Sequence, residues 1–141
     1  MCFSMKSTAI VSCLLLCFVG CDHRGTARVQ FSDSPAESLR ITFFDRETPR
    51  EVEITSHAKI EELLNLFQRG LDNEDHKCGD AAHLKILHTD GTSTELSVLP
   101  GHDPDHYEFR YQRKNYRVTR AEVLDVFEAM GIDPQRLTQG P

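Results

Sequence analysis

The side chains with the most chemistry to offer gather between His76 and His106. His76, Cys78 and His83 fall within eight residues, and imidazole with thiolate is a donor set that suits Zn²⁺. Asp72, Glu74, Asp75 and Asp80 surround them. The spacing His-x-Cys-x4-His nevertheless matches no standard motif, because neither a Cys-x-x-Cys pair nor a His-Glu-x-x-His helix is present. His83 also alternates with Leu84, which puts it on the solvent side of its strand. A metal site at His76, Cys78 and His83 therefore competes with a solvated loop around a packed cysteine. A thiol enzyme would need Cys78 beside a histidine, with His76 two residues away and His57 and His88 as distant candidates. No Gly-x-Ser-x-Gly elbow offers a serine nucleophile instead. His102-Asp103-Pro104-Asp105-His106 has too few oxygens for a self-contained calcium site, and Asp72-Asn73-Glu74-Asp75 lacks the glycine and late glutamate of an EF-hand. Both read as turn-forming loops. The glycines are scattered at turns and ends, so no phosphate cradle is expected, and no cofactor.

A second group is basic. From Tyr107 to Arg120 there are five cations, Arg110, Arg113, Lys114, Arg117 and Arg120, against Glu108 alone. A tight turn at Arg113-Lys114 sets Tyr111 opposite Tyr116 and Arg110 opposite Arg117. Like charges facing each other are unfavourable. The arrangement suggests an anionic partner bound by Arg110, Arg113, Lys114 and Arg117, set against a solvated face screened by salt.

The elements that must hold these groups follow from period. Leu39, Ile41 and Phe43 alternate with polar residues, and Val52 and Ile54 resume the pattern after a turn, as a strand pair does. Ile60, Leu63, Leu64 and Phe67 recur at helical spacing, with Ser56 as N-cap and Gly70 at the stop. Residues 71–81 read as an acidic loop. Leu84 and Ile86, then Leu96 and Val98, flank an Asp90-Gly91 hairpin signal. Tyr107, Phe109 and Tyr111 alternate, and Tyr116 and Val118 continue them. Thr119 and Glu122 form a capping box ahead of a helix carrying Val123, Phe127 and Met130, which Gly131 and Pro134 end. The order ββα-ββββα predicts an α+β domain, an antiparallel sheet of about six strands with both helices on one face.

The remaining information is an address. Lys6 precedes a short apolar run from Ala9 to Gly20, within the roughly 7–15 residues of a secretory signal and short of the about 20 that span a bilayer. Phe18-Val19-Gly20-Cys21 closes it. This segment resembles the bacterial lipoprotein signal, whose lipobox ends in a small residue followed by the lipidated cysteine; Phe18 departs from the usual leucine. The resemblance covers residues 1–21 and implies lipidation of Cys21. Asp22 resembles the signal that retains some such proteins in the inner membrane. Met5-Lys6-Ser7 reads better as a start than Met1-Cys2-Phe3-Ser4.

Signal peptide 1–20, a tether over 21–37, one domain over 38–134 able to fold without lipid, and a frayed tail at 135–141 are thus expected. From Cys21 onward, 15 basic residues meet 22 acidic ones, a formal charge of −7 that argues against nucleic acid. Cys78 is the single cysteine after Cys21, so no internal disulfide can form. The leading expectation is a non-enzymatic, lipid-anchored domain facing the periplasm or the cell exterior, which binds another envelope component, protein or glycan.

Overall fold

Leu39, Ile41 and Phe43 do line the inward side of a strand, β1 (Ala36–Phe43), in a computed structural model that describes residues 29–44, 49–75, 77–100 and 102–137. β2 (Arg50–Ile54), α1 (His57–Gln68), β3 (Leu71–Asn73) and β4 (Ala82–His88) follow. Then come β5 (Ser93–Val98), β6 (His106–Tyr111), β7 (Lys114–Thr119), α2 (Arg120–Ala129) and a 3-10 turn over Pro134–Leu137. All strand pairs are antiparallel, in one sheet ordered β2-β1-β4-β5-β6-β7-β3. The chain is an α+β protein, with seven strands among the described residues where about six are expected. The additional strand is β3, inside the segment read as a loop. Asp72 and Asn73 disfavour strands locally, and pairing of Leu71–Asn73 with β7 overrides that preference.

The apolar layer lies between one sheet face and the helices. Ile60, Leu63, Leu64, Leu66 and Phe67 of α1 and Val123, Val126 and Phe127 of α2 are buried there. Phe67 packs on Phe109 of β6 with ring centroids 4.6 Å apart, and Phe109 stacks on Tyr116 of β7 at 5.2 Å. Ser56 and Thr119 occupy the N-cap positions in extended conformation, but neither side chain makes a capping bond. The expected capping box is therefore absent from α2.

Gly131 ends α2 with φ of 78°, and the N–H groups of Gly131 and Ile132 donate to the carbonyls of Glu128 and Phe127. That is a Schellman closure, with Ile132 buried behind it. Gly70 has another purpose. A Cβ there would stand 2.9 Å from the Phe109 ring, so the glycine lets the chain leave α1 against that ring. Gly70→Ala is expected to cost about 1–3 kcal/mol through overpacking. A chemical melt would read it, and the cost should shrink when Phe109 is already Leu.

Two expected boundaries move. Within the segment read as tether, Val29 and Phe31 are buried in the core, and the Phe31 ring meets Tyr111 edge-on at 5.0 Å. His88, buried at the end of β4, donates from Nδ1 to the Ser34 carbonyl at 2.9 Å and accepts the Thr94 hydroxyl at Nε2 at 2.8 Å. The Thr89 N–H donates to the Pro35 carbonyl, and the His57 ring donates to the Ala36 carbonyl. From Val29 onward the chain thus belongs to the domain. At the other end Leu137 is fully buried and Arg136 lies 5.9 Å from the Phe43 ring centroid, so packing runs past Pro134 into the segment read as frayed. Cys21 and residues 138–141 lie outside the described residues.

Candidate functional site

The helices leave the opposite sheet face uncovered, and the side chains alternating outward there form a polar row. Register places Ser97 of β5 against Arg110 of β6, Arg110 against Asn115 of β7, and Asn115 against Asn73 of β3. Over this row pass, as a strap, Glu74, Asp75 and Asp80 of the β3–β4 connection. The Asn115 amide donates to the Asp75 carboxylate at 3.1 Å and to the Glu74 carbonyl at 3.4 Å. Asp80 accepts the Ser97 hydroxyl at 2.8 Å and the Arg110 guanidinium at 3.3 Å, while Arg110 Nε donates to Asn115 at 3.2 Å. Asn73 donates to Glu108 at 2.8 Å. The strap explains why Asn115, an outward amide, is only 4% exposed.

This register corrects the expected hairpin. The turn residues are Gln112 and Arg113, both with positive φ, of 48° and 67°. Tyr111 therefore pairs with Lys114, and Arg117 sits opposite Glu108, not opposite Arg110. The observed register replaces a like-charge pair with an opposite-charge pair and an arginine–amide pair. Of the four expected anion-binding residues, Arg110 is tied to Asp80 and Asn115, and Arg117 is exposed on the outward face. Arg113 and Lys114 are exposed at the hairpin tip.

Of the three candidate metal ligands, Cys78 and His83 are among the described residues. His76 lies outside the described residues. His83 stands 3.8 Å from Glu95, which also takes Lys85 at 3.0 Å; that lysine holds the Glu95 carboxyl below its ordinary range. Among the described residues no group of three or more histidine, cysteine and carboxylate side chains could hold a metal ion. Cys78 is half-buried with its Sγ 3.2 Å from Nε2 of His102, a partner that sequence distance concealed. His102–Asp105 form a bend ahead of β6, whose first residue is His106. Asp103 accepts the backbone N–H groups of Asp105 and His106, and the Asp105 bond leads in holding its carboxyl below the usual range. Arg120 clamps that loop, donating from Nε to the Asp103 carbonyl and lying 4.4 Å from the Tyr107 ring centroid.

An open groove of about 790 Å³ also runs between α1 and the entering segment, lined by Val29, Phe31, Glu61, Glu62 and Asn65 among others. Compared with known protein families, curated proteins and solved structures, the chain matches none. No described helix is long and apolar enough to cross a membrane.

Ser97 and Asn115 are not singled out by the sequence, which offers Asp75 and Asp80 only as acidic neighbours of His76, Cys78 and His83. Asn115 alone carried a signal, since an asparagine inside an alternating strand is unfavourable unless its amide is used.

Asp80→Ala is expected to cost about 1–2 kcal/mol, between a surface ion pair and a lost bond to a charged group. It should also raise amide exchange in residues 77–80 ahead of global unfolding, as exchange mass spectrometry would report.

Proposed function

We propose that the chain is a non-enzymatic, lipid-anchored binding domain of the bacterial envelope, held at Cys21 and meeting a protein partner through the outward face of its sheet. The observation that supports this most is the strapped row Ser97–Arg110–Asn115–Asn73. Its side chains are held before any partner arrives, Ser97 and Arg110 by Asp80, Asn115 by Arg110 and Asp75, and Asn73 by Glu108, so little ordering entropy opposes binding. The same face carries the exposed large apolar side chains of the described residues, Leu71 at 44% and Leu87 at 39% exposure. Leu71 lies beside Arg117, and Leu87 alternates with Lys85. Apolar contacts among ordered polar groups are the composition of a protein-binding patch.

A photo-crosslinker at Arg117 tests the face, with one at Glu128, exposed on α2, as control. In membranes holding the lipidated chain, a discrete protein adduct from position 117 and none from 128 is expected. Adducts from 128 alone, or equally from both, would contradict the assignment.

A thiol activity is the second reading, and the Cys78–His102 contact favours it, because an imidazole at that distance can take the thiol proton. His102 is exposed and the pair sits on loops at the surface. Unchanged alkylation kinetics of Cys78 in a His102→Ala protein would remove this reading.

A further inference from the structure

The sheet ends on unequal edges. β3 closes one with three residues, and β2 closes the other with five, paired to β1 alone. Alternate residues of β2 therefore turn their N–H and C=O groups away from β1, where no other described strand meets them. Register sets Val52 opposite Ile41 and Ile54 opposite Leu39 on the helix side, and both side chains pack against the core while only partly buried. Glu51 and Glu53 fall opposite Thr42 and Arg40 on the outward side. Both are exposed, and neither carboxylate makes an ion pair among the described residues. The edge thus offers free backbone groups, an unfinished apolar row on one side and two unpaired carboxylates on the other.

A second copy of the chain fits this edge badly. Any antiparallel register of β2 on β2 that keeps the helices of both copies on one side of a continuous sheet sets at least one glutamate against a glutamate. Like charges directly opposite are destabilising, so Glu51 and Glu53 guard the strand against self-pairing as edge charges generally do. The same carboxylates favour a strand that brings cations. Whichever way it runs, an added strand places alternate side chains beside Glu51 and Glu53 and the intervening ones beside Val52 and Ile54. Arg40, facing Glu53 from β1, weakens the pull of that carboxylate, so Glu51 carries more of it.

We propose that the free edge of β2 accepts an extended segment of another protein in which basic and apolar residues alternate, adding a strand to the seven-stranded sheet. Backbone hydrogen bonds hold the segment, Glu51 and Glu53 select lysine or arginine on the outward side, and Val52 and Ile54 gain cover on the other. The strapped row ends at β3, the opposite edge of the sheet. The β2 site therefore stands independently of the contact proposed for that row.

Two end-blocked peptides, one alternating valine with lysine and one alternating valine with glutamate, are the probes, offered to the full chain in a non-ionic detergent. Expected is binding of the lysine peptide about tenfold tighter than the glutamate peptide, with slowed amide exchange confined to residues 50–54. Glu51→Lys with Glu53→Lys should reverse that preference. Glu51→Lys alone, which adds no cation opposite Arg40, should remove most of it even if the double variant melts early. No binding, equal binding of the two peptides, slowed exchange on another strand, or a preference indifferent to both charge reversals overturns the proposal. So does protection of residues 50–54 that rises with protein concentration in the absence of peptide, because a second copy would then hold the edge.

Discussion

A soluble fragment beginning at Ser38 is expected to lose its cooperative melt, whereas one beginning at Val29 is expected to keep it. The shorter fragment removes Val29 and Phe31 from the core, each worth about 1.5–3 kcal/mol of burial. It also removes the Ser34 carbonyl that the buried His88 ring binds, leaving a polar group unsatisfied at a cost of about 1–3 kcal/mol. The Thr89 N–H loses the Pro35 carbonyl, and Tyr111 loses the ring against it. Together these approach the whole stability of a domain this size, about 5–15 kcal/mol. Circular dichroism melts of the two fragments decide the matter, and matching transitions would show that residues 29–37 are dispensable.

The second large effect is expected at Phe127. Its side chain is fully buried between α2 and the sheet, and Phe127→Ala should cost about 3–5 kcal/mol. Thr119→Ala, by contrast, should fall within about 0.5 kcal/mol, because the hydroxyl makes no capping bond and the side chain is exposed. Denaturant titrations of the two variants should therefore differ several-fold. A comparable loss from Thr119→Ala would mean that a cap forms in solution after all.

The contrast between these two residues shows what kinds of structure a single sequence makes legible. Phe127 was readable because helical spacing with Val123 and Met130 gives its face directly, and the same holds for Ile60 through Phe67. Thr119 looked like a cap because T-x-x-E is a local pattern, yet whether the hydroxyl turns toward the helix depends on how β7 runs into α2. β3 was hidden because Asp72 and Asn73 prefer loops, and the pairing that makes them a strand comes from Arg117, Tyr116 and Asn115, some forty residues away. The outward face was hidden for a related reason. Asp80 and Arg110 are 30 residues apart, Asp75 and Asn115 are 40 apart, and no periodicity links them. The hairpin register failed by one turn position, because Gln112 and Arg113 carry no glycine or asparagine to mark their positive φ. That single step changed Arg110 from a free cation facing Arg117 into a member of the strapped network.

The central claim is that this domain is anchored through lipid on Cys21 and works as a tethered binding module. Metabolic labelling with an alkyne fatty acid, applied to the wild-type chain and to Cys21→Ala, tests it most directly. The expected result is label in the wild-type chain alone, with the variant unprocessed at that site. Equal incorporation into both chains, or none into either, would contradict the account.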